Sequence, residues 1–108
     1  MSKPVLVVAM YKPKPGKLAE LKPLIKEHFP TLKEYGLVTD RAHFLGQSSD
    51  GTVLEVFEWA SEGAAQKAHQ HPAVSKIWEV MATFCDWGKL SELPEASRPF
   101  PHFNRFEV

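Results

Sequence analysis

The stretch EVFEWASEGAAQKAHQHP, residues 55–72, holds two glutamates, a tryptophan and two histidines, and His28 and His43 stand upstream of it. Imidazoles are the side chains that exchange protons near neutral pH. A carboxylate beside one holds a ring nitrogen and leaves the other free as acid or base. Metal binding fits the pattern less well. His69 and His71 are two residues apart, which on a helix turns them about 200° from each other, whereas zinc motifs present a pair on one face. A metal site would need His28 or His43 to converge with one of them. Glycine-rich phosphate loops, a serine elbow and a catalytic-cysteine pattern are all missing from the chain.

These residues must be positioned by one domain, because 108 residues with 44% hydrophobic content make one core and not two. PVLVVAMY, residues 4–11, reads as a strand buried on both faces. After KPKPG, the residues Leu18, Leu21, Ile25, Leu32 and Tyr35 recur at steps of three and four, the stripe of an amphipathic helix. Pro23 and Pro30 fall on the opposite face, where they predict kinks, and Gly36 supplies the stop. LVTDRAHFLGQ and TVLEVFEWA flank SSDG and predict a hairpin. Ser61 can cap a second helix whose small residues Ala64, Ala65 and Ala68 allow close approach to a sheet. His71-Pro72 interrupts that helix, which resumes through Ile77, Trp78 and Met81, and FCDWGKL forms a last short strand. From about residue 94 the chain becomes an irregular arm rich in proline and aromatic rings. It either serves core and dimer packing, in which case deletion after Pro94 leaves turnover intact, or closes over the pocket.

The order is that of a ferredoxin-like βαββαβ unit: an α+β domain with a four-stranded antiparallel sheet and both helices on one face. The other face of the sheet then lacks a cover although strand one is apolar on both sides. The simplest cover is a second copy, so a homodimer is expected.

Charge narrows the partners. Thirteen basic side chains balance thirteen acidic ones, which leaves no basic excess for a phosphate backbone or an anionic membrane. Met1 to Arg41 holds 8 basic and 4 acidic residues and the remainder holds 5 and 9, a mild dipole without a run of one sign. The apolar run before Lys12 is too short for a signal sequence or a membrane span, and Cys85 stands alone, so a reducing, cytoplasmic setting is expected.

Assembled, the pattern resembles the dimeric α+β barrel superfamily and, within it, the antibiotic biosynthesis monooxygenase-like group. The likeness rests on YKPKPGKLAELKPLIKEH after strand one, SSDGTVLEVFEW at the hairpin, and Trp59, Ser61, Ala64 and His69 leading into His71-Pro72. It covers about residues 4–93 and implies a fold more firmly than an activity. Such proteins oxidise quinols and polyketide phenols without a cofactor, degrade haem, isomerise small metabolites, or have no known activity. The haem-degrading branch fits poorly: its first-strand Asn has no counterpart, Ala68 stands where its Trp belongs, and Trp78 where its iron-binding His belongs.

The resemblance implies an enzyme that needs no cofactor and no metal and deprotonates a small phenol, quinol or enol. It places His69 at the mouth of a pocket between helix and sheet. His28 continues the helical stripe, so its ring faces the sheet, either as a core histidine bonded to backbone or as a base in a cavity. Strand alternation, with a turn of two or four residues, sets Arg41 and His43 on one face with Glu58 and puts His43 opposite Glu58, either as a working pair or as a polar contact at a dimer seam. Trp59 shares the other face with Phe57 and Glu55, as core or as an N–H donor to an oxygenated ring. Arg41, Trp59 and Tyr11 are the candidates to meet developing negative charge. A binding module without turnover, or an isomerase of a small hydroxy-ketone, would use the same pocket.

Overall fold

The computed structural model describes residues 3–108. Strand β1 (Val5–Pro13) leads to helix α1 (Leu18–Glu34), then to the hairpin of β2 (Phe44–Gln47) and β3 (Val53–Trp59). Helices α2 (Ala64–Gln70) and α3 (Pro72–Phe84) follow, then β4 (Cys85–Trp87), two single 3₁₀ turns, and β5 (Asn104–Arg105). All strand pairs are antiparallel, and the order is β4-β1-β3-β2-β5.

The sheet therefore has five strands and not the expected four. An edge strand offers a row of unpaired backbone groups. The arm returns to use them: Asn104 and Arg105 pair with Gln47 and Gly46 of β2. Two residues carry no periodicity, so only tertiary contact defines this strand.

Helix α1 buries Leu21, Ile25, His28, Phe29 and Leu32, and both prolines lie on its exposed side. Its end is a Schellman turn: Gly36 at φ 69° lets Leu37 N–H reach Leu32 O and Gly36 N–H reach Lys33 O. Tyr35 falls outside the stripe, is 44% exposed, and packs its ring on His71 at 3.9 Å. Ser61 serves α2 through its backbone carbonyl, which accepts from Ala64 N–H, and not through its hydroxyl. His71 caps α3, with Nδ1 accepting from Ala73 N–H ahead of Pro72 at the first turn.

The hairpin decides which side chains meet. Ser48 N–H bonds Thr52 O, Gly51 takes φ 94°, and Gln47 pairs with Val53. The loop proper is thus three residues, the type I turn with a left-handed third residue. An odd loop reverses the parity expected from a two- or four-residue turn. Leu45 pairs with Glu55, and Phe44 with Val56. Val7, Ala9 and Tyr11 of β1 share the helix side with Val53, Glu55, Phe57 and Trp59 of β3. The open side carries Leu6, Val8, Met10, Leu54, Val56 and Glu58, with Phe44 beside them.

Two apolar clusters fill the helix side. One gathers Phe29, Leu32, Phe57, Trp59, Ala64, Ala68 and Val74, and the other Tyr11, Leu21, Ile25, Val53, Met81, Cys85 and Phe106. His28 bridges them, edge-on to Phe57 at 5.9 Å and to Tyr11 at 6.2 Å. The arm adds a clamp at the other end of the hairpin, where buried Glu95 accepts from Ser48 Oγ–H and Ser49 N–H.

Candidate functional site

At the centre of β3 the carboxylate of Glu55 is fully buried, with 0% exposure. A buried charge is tolerated only with partners that replace its water. Three donors do so. Tyr11 O–H and His28 Nδ1 both reach Oε1 at 2.7 Å, and His43 Nδ1 reaches Oε2 at 2.7 Å. Each comes from a different element: Tyr11 from β1, His28 from the buried stripe of α1, and His43 from the segment entering β2, where its ring stacks on Phe29 at 4.5 Å.

The protonation pattern follows. Burial alone would push Glu55 up, but the hydrogen bonds of His28 and His43, the charge of His28 when that ring is protonated, and the hydroxyl of Tyr11 outweigh it and hold the carboxyl at about 2. Burial, followed by the neighbouring Glu55 charge, raises the Tyr11 phenol well above its ordinary value, so Tyr11 stays a neutral donor. An ionised carboxylate only accepts, hence both imidazoles carry their proton on Nδ1. His28 Nε2 is then an acceptor, and Trp78 Nε1–H donates to it at 2.8 Å.

This network backs onto a cleft of about 330 Å³ between β1, β3 and the helices, lined by Val7, Ala9, Tyr11, His28, Phe57, Trp59, His69, Trp78 and Trp87 among others. Apolar and aromatic surface dominates, and His28 is the residue of the Glu55 network that brings a ring nitrogen acceptor to it. Trp59 is buried and lines the cleft. His69 stands exposed at the mouth, its ring edge-on to Trp78 at 4.7 Å.

The fold thus brings Tyr11, His28, Trp59 and His69 to one cleft. His43 lies outside it, behind Glu55, in a groove under the arm. It does not face Glu58, because the odd loop moves it to the helix side with Glu55. Tyr11 spends its proton on Glu55 and is not a free donor to a ligand. Arg41 and Glu58 leave the site altogether. They pair at 3.4 Å on the open side of the sheet, with the Arg41 side chain 81% exposed. Glu55 and Trp78 are the members of this network that sequence reasoning missed. A signal for Glu55 existed: alternation places it with Phe57 and Trp59 toward the helices, and His28 faces back from α1 in need of a partner.

Among the described residues no group of three or more His, Cys, Asp or Glu side chains could hold a metal ion, and no helix is long and apolar enough to cross a membrane. No family model and no curated protein matches the chain. Among solved structures it is similar to a conserved protein from Methanosarcina mazei Go1, 25% identical, with a TM-score of 0.62 over 79% of this chain and 84% of that one. That likeness supports the α+β arrangement and brings no activity with it.

Proposed function

We propose that the chain is a cofactor-independent monooxygenase-like enzyme acting on a small electron-rich phenol, quinol or enol in the cleft, with His28 as the base. One observation carries this reading: a cleft-lining imidazole whose Nδ1 is fixed by a buried carboxylate and whose Nε2 accepts from Trp78, another residue of the same aromatic lining. That is the arrangement a general base needs, since the carboxylate selects the tautomer and stabilises the imidazolium that forms. His69, expected as a base, is better suited to the mouth of the cleft. Trp59, which lines the same cleft, is the donor assigned to a developing oxyanion.

For a phenol with a ring C–H para to its hydroxyl, the chemistry is as follows. His28 Nε2 takes the phenolic proton. The phenolate gives one electron to O₂, and the aryloxyl radical and superoxide combine at the para carbon to form a C–O bond. The peroxide anion takes the proton back from His28. Loss of the ring C–H proton breaks the O–O bond, forming a quinone carbonyl and releasing hydroxide, which that proton converts to water. Phenol and O₂ become quinone and water.

A homodimer formed through the open face and a cytoplasmic setting belong to the same proposal. Supporting the dimer, Leu6 and Phe44 are 68% and 75% exposed on that face, beside Val8, Met10 and Val56. The test is oxygen uptake against a panel of quinols, phenols and enols under ¹⁸O₂, with one labelled atom expected in the product. Turnover that proceeds without oxygen would replace this reading with isomerisation.

One contact favours a second reading, binding of a small molecule without turnover: Trp78 N–H already occupies His28 Nε2. Replacing Trp78 with Phe separates them. A base freed in this way keeps or gains turnover, whereas a pure binding site only loses affinity.

A further inference from the structure

Two imidazoles share one carboxylate, but only one of them reaches the cleft. We propose that His43 is a positioning residue for His28: from the far side of Glu55 it sets how much of that carboxylate's charge remains for the base, and so couples proton uptake in the cleft to a proton from solvent. This deepens the proposed function and rests on it.

The geometry has three parts. Glu55 is sealed at 0% exposure and carries one negative charge, with Oε1 given to His28 and Oε2 to His43, each at 2.7 Å. One charge can compensate one imidazolium. His28 faces the cleft and Trp78, with its side chain 3% exposed, so its second proton comes from whatever occupies the cleft. His43 is 25% exposed and lines the groove beside Phe103, Arg105 and Phe106. Its second proton comes from solvent.

The two protons therefore compete. When His43 takes one from solvent, Glu55 is already compensated, and a substrate proton moved to His28 would place a second positive charge in the buried cluster. When His43 is neutral, the whole carboxylate charge meets the His28 imidazolium. The groups that face this unit from each packed element are few. β1 contributes neutral Tyr11, β3 contributes Glu55, α1 and α3 contribute the uncharged rings Phe29 and Trp78, α2 contributes the exposed His69 at the mouth of the cleft, and the arm contributes Arg105, which pairs with Glu107 at 3.6 Å. Glu55 is the one anion between the rings, so coupling runs through it. A purely structural His43 would hold Oε2 by the same hydrogen bond and leave the proton traffic of His28 untouched.

The test is an NMR titration of the imidazole ¹⁵N signals of the full chain, wild type and His43→Asn, which keeps an N–H for Oε2 but cannot take a proton. In the wild type the His28 signals should move in two steps, the acid-side step coinciding with movement of the His43 signals. Both steps belong to the coupled pair, because the two rings share one carboxylate charge. In His43→Asn the acid-side step disappears, and kcat/KM on the acid limb exceeds wild type by about tenfold or more. A wild-type His28 curve with one step, or a curve that superimposes on that of His43→Asn, overturns the proposal. The wild-type measurement needs no variant to fold and no turnover. Coupling without oxidation of any phenol, quinol or enol sinks the proposed function alone, and turnover without coupling sinks this inference alone.

Discussion

Replacing Glu55 with glutamine should remove a large part of the stability of the domain at neutral pH. Glutamine keeps the shape and one carbonyl oxygen but carries no charge, so it stands in for the protonated acid. Holding the carboxyl at about 2, against an ordinary 4.5, means that the folded protein prefers the charged form more strongly than the unfolded chain does. At 1.36 kcal/mol per pH unit that preference is about 3 kcal/mol, with the burial penalty already included. The sign follows from the depressed value. The contribution is fully present above 4.5 and is lost as pH falls toward 2, so the gap between wild type and Glu55→Gln should be about 3 kcal/mol at pH 7 and about half that at pH 3. Urea unfolding of both proteins at one protein concentration, followed by tryptophan fluorescence from pH 7 to pH 3, measures it directly. A gap under about 1 kcal/mol at pH 7, or one that does not narrow on acidification, would refute the claim that three donors hold an ionised Glu55.

Three further outcomes are expected. His28→Gln should lower kcat by about a hundredfold or more while substrate affinity stays within tenfold, as stopped-flow and steady-state oxygen uptake would show. Leu6→Lys combined with Phe44→Glu should shift sedimentation from dimer to monomer with an unchanged circular dichroism spectrum, since both side chains are exposed in the single chain; a wild type already monomeric removes the dimer proposal. Phe106→Ala should destabilise the chain by about 3 kcal/mol, because this ring is buried in the same cluster as Tyr11 and Ile25. By that route truncation after Pro94 should reduce stability too, since it removes Phe106 together with the strand that pairs with β2.

Much of the scaffold was legible in local pattern. The stripe of α1 announced the burial of Leu21, Ile25 and Leu32 and turned His28 toward the sheet, where it lies 2% exposed. His71-Pro72 marked the break between α2 and α3, and the valine-rich opening marked β1. What could not be read was whatever depended on a distant partner. The fifth strand exists because the arm meets the edge of β2, and the clamp at Ser48 exists because Glu95 returns to it. Neither leaves a period in the sequence.

The site itself turned on the parity of one loop. Asp50-Gly51 signals a tight hairpin equally well for two, three or four residues, because Gly51 supplies a positive φ in each case. An even loop pairs His43 with Glu58 at the outer face, beside Arg41, and dissolves the network. The three-residue loop pairs Leu45 with Glu55 and carries His43 inward with it. Burial could have chosen between them. Glu55 lies between Leu54, Val56 and Phe57 on a strand whose alternate residues face a helix that already presents an unsatisfied imidazole, whereas Glu58 has Arg41 at the surface. Leaving Glu55 with Tyr11 and His28 alone, both on Oε1, would strand Oε2 at a penalty of several kcal/mol, and only the odd register supplies the second imidazole. The demand of one buried charge, more than any turn preference, thus fixes the register of the hairpin and with it the residues that meet at the cleft.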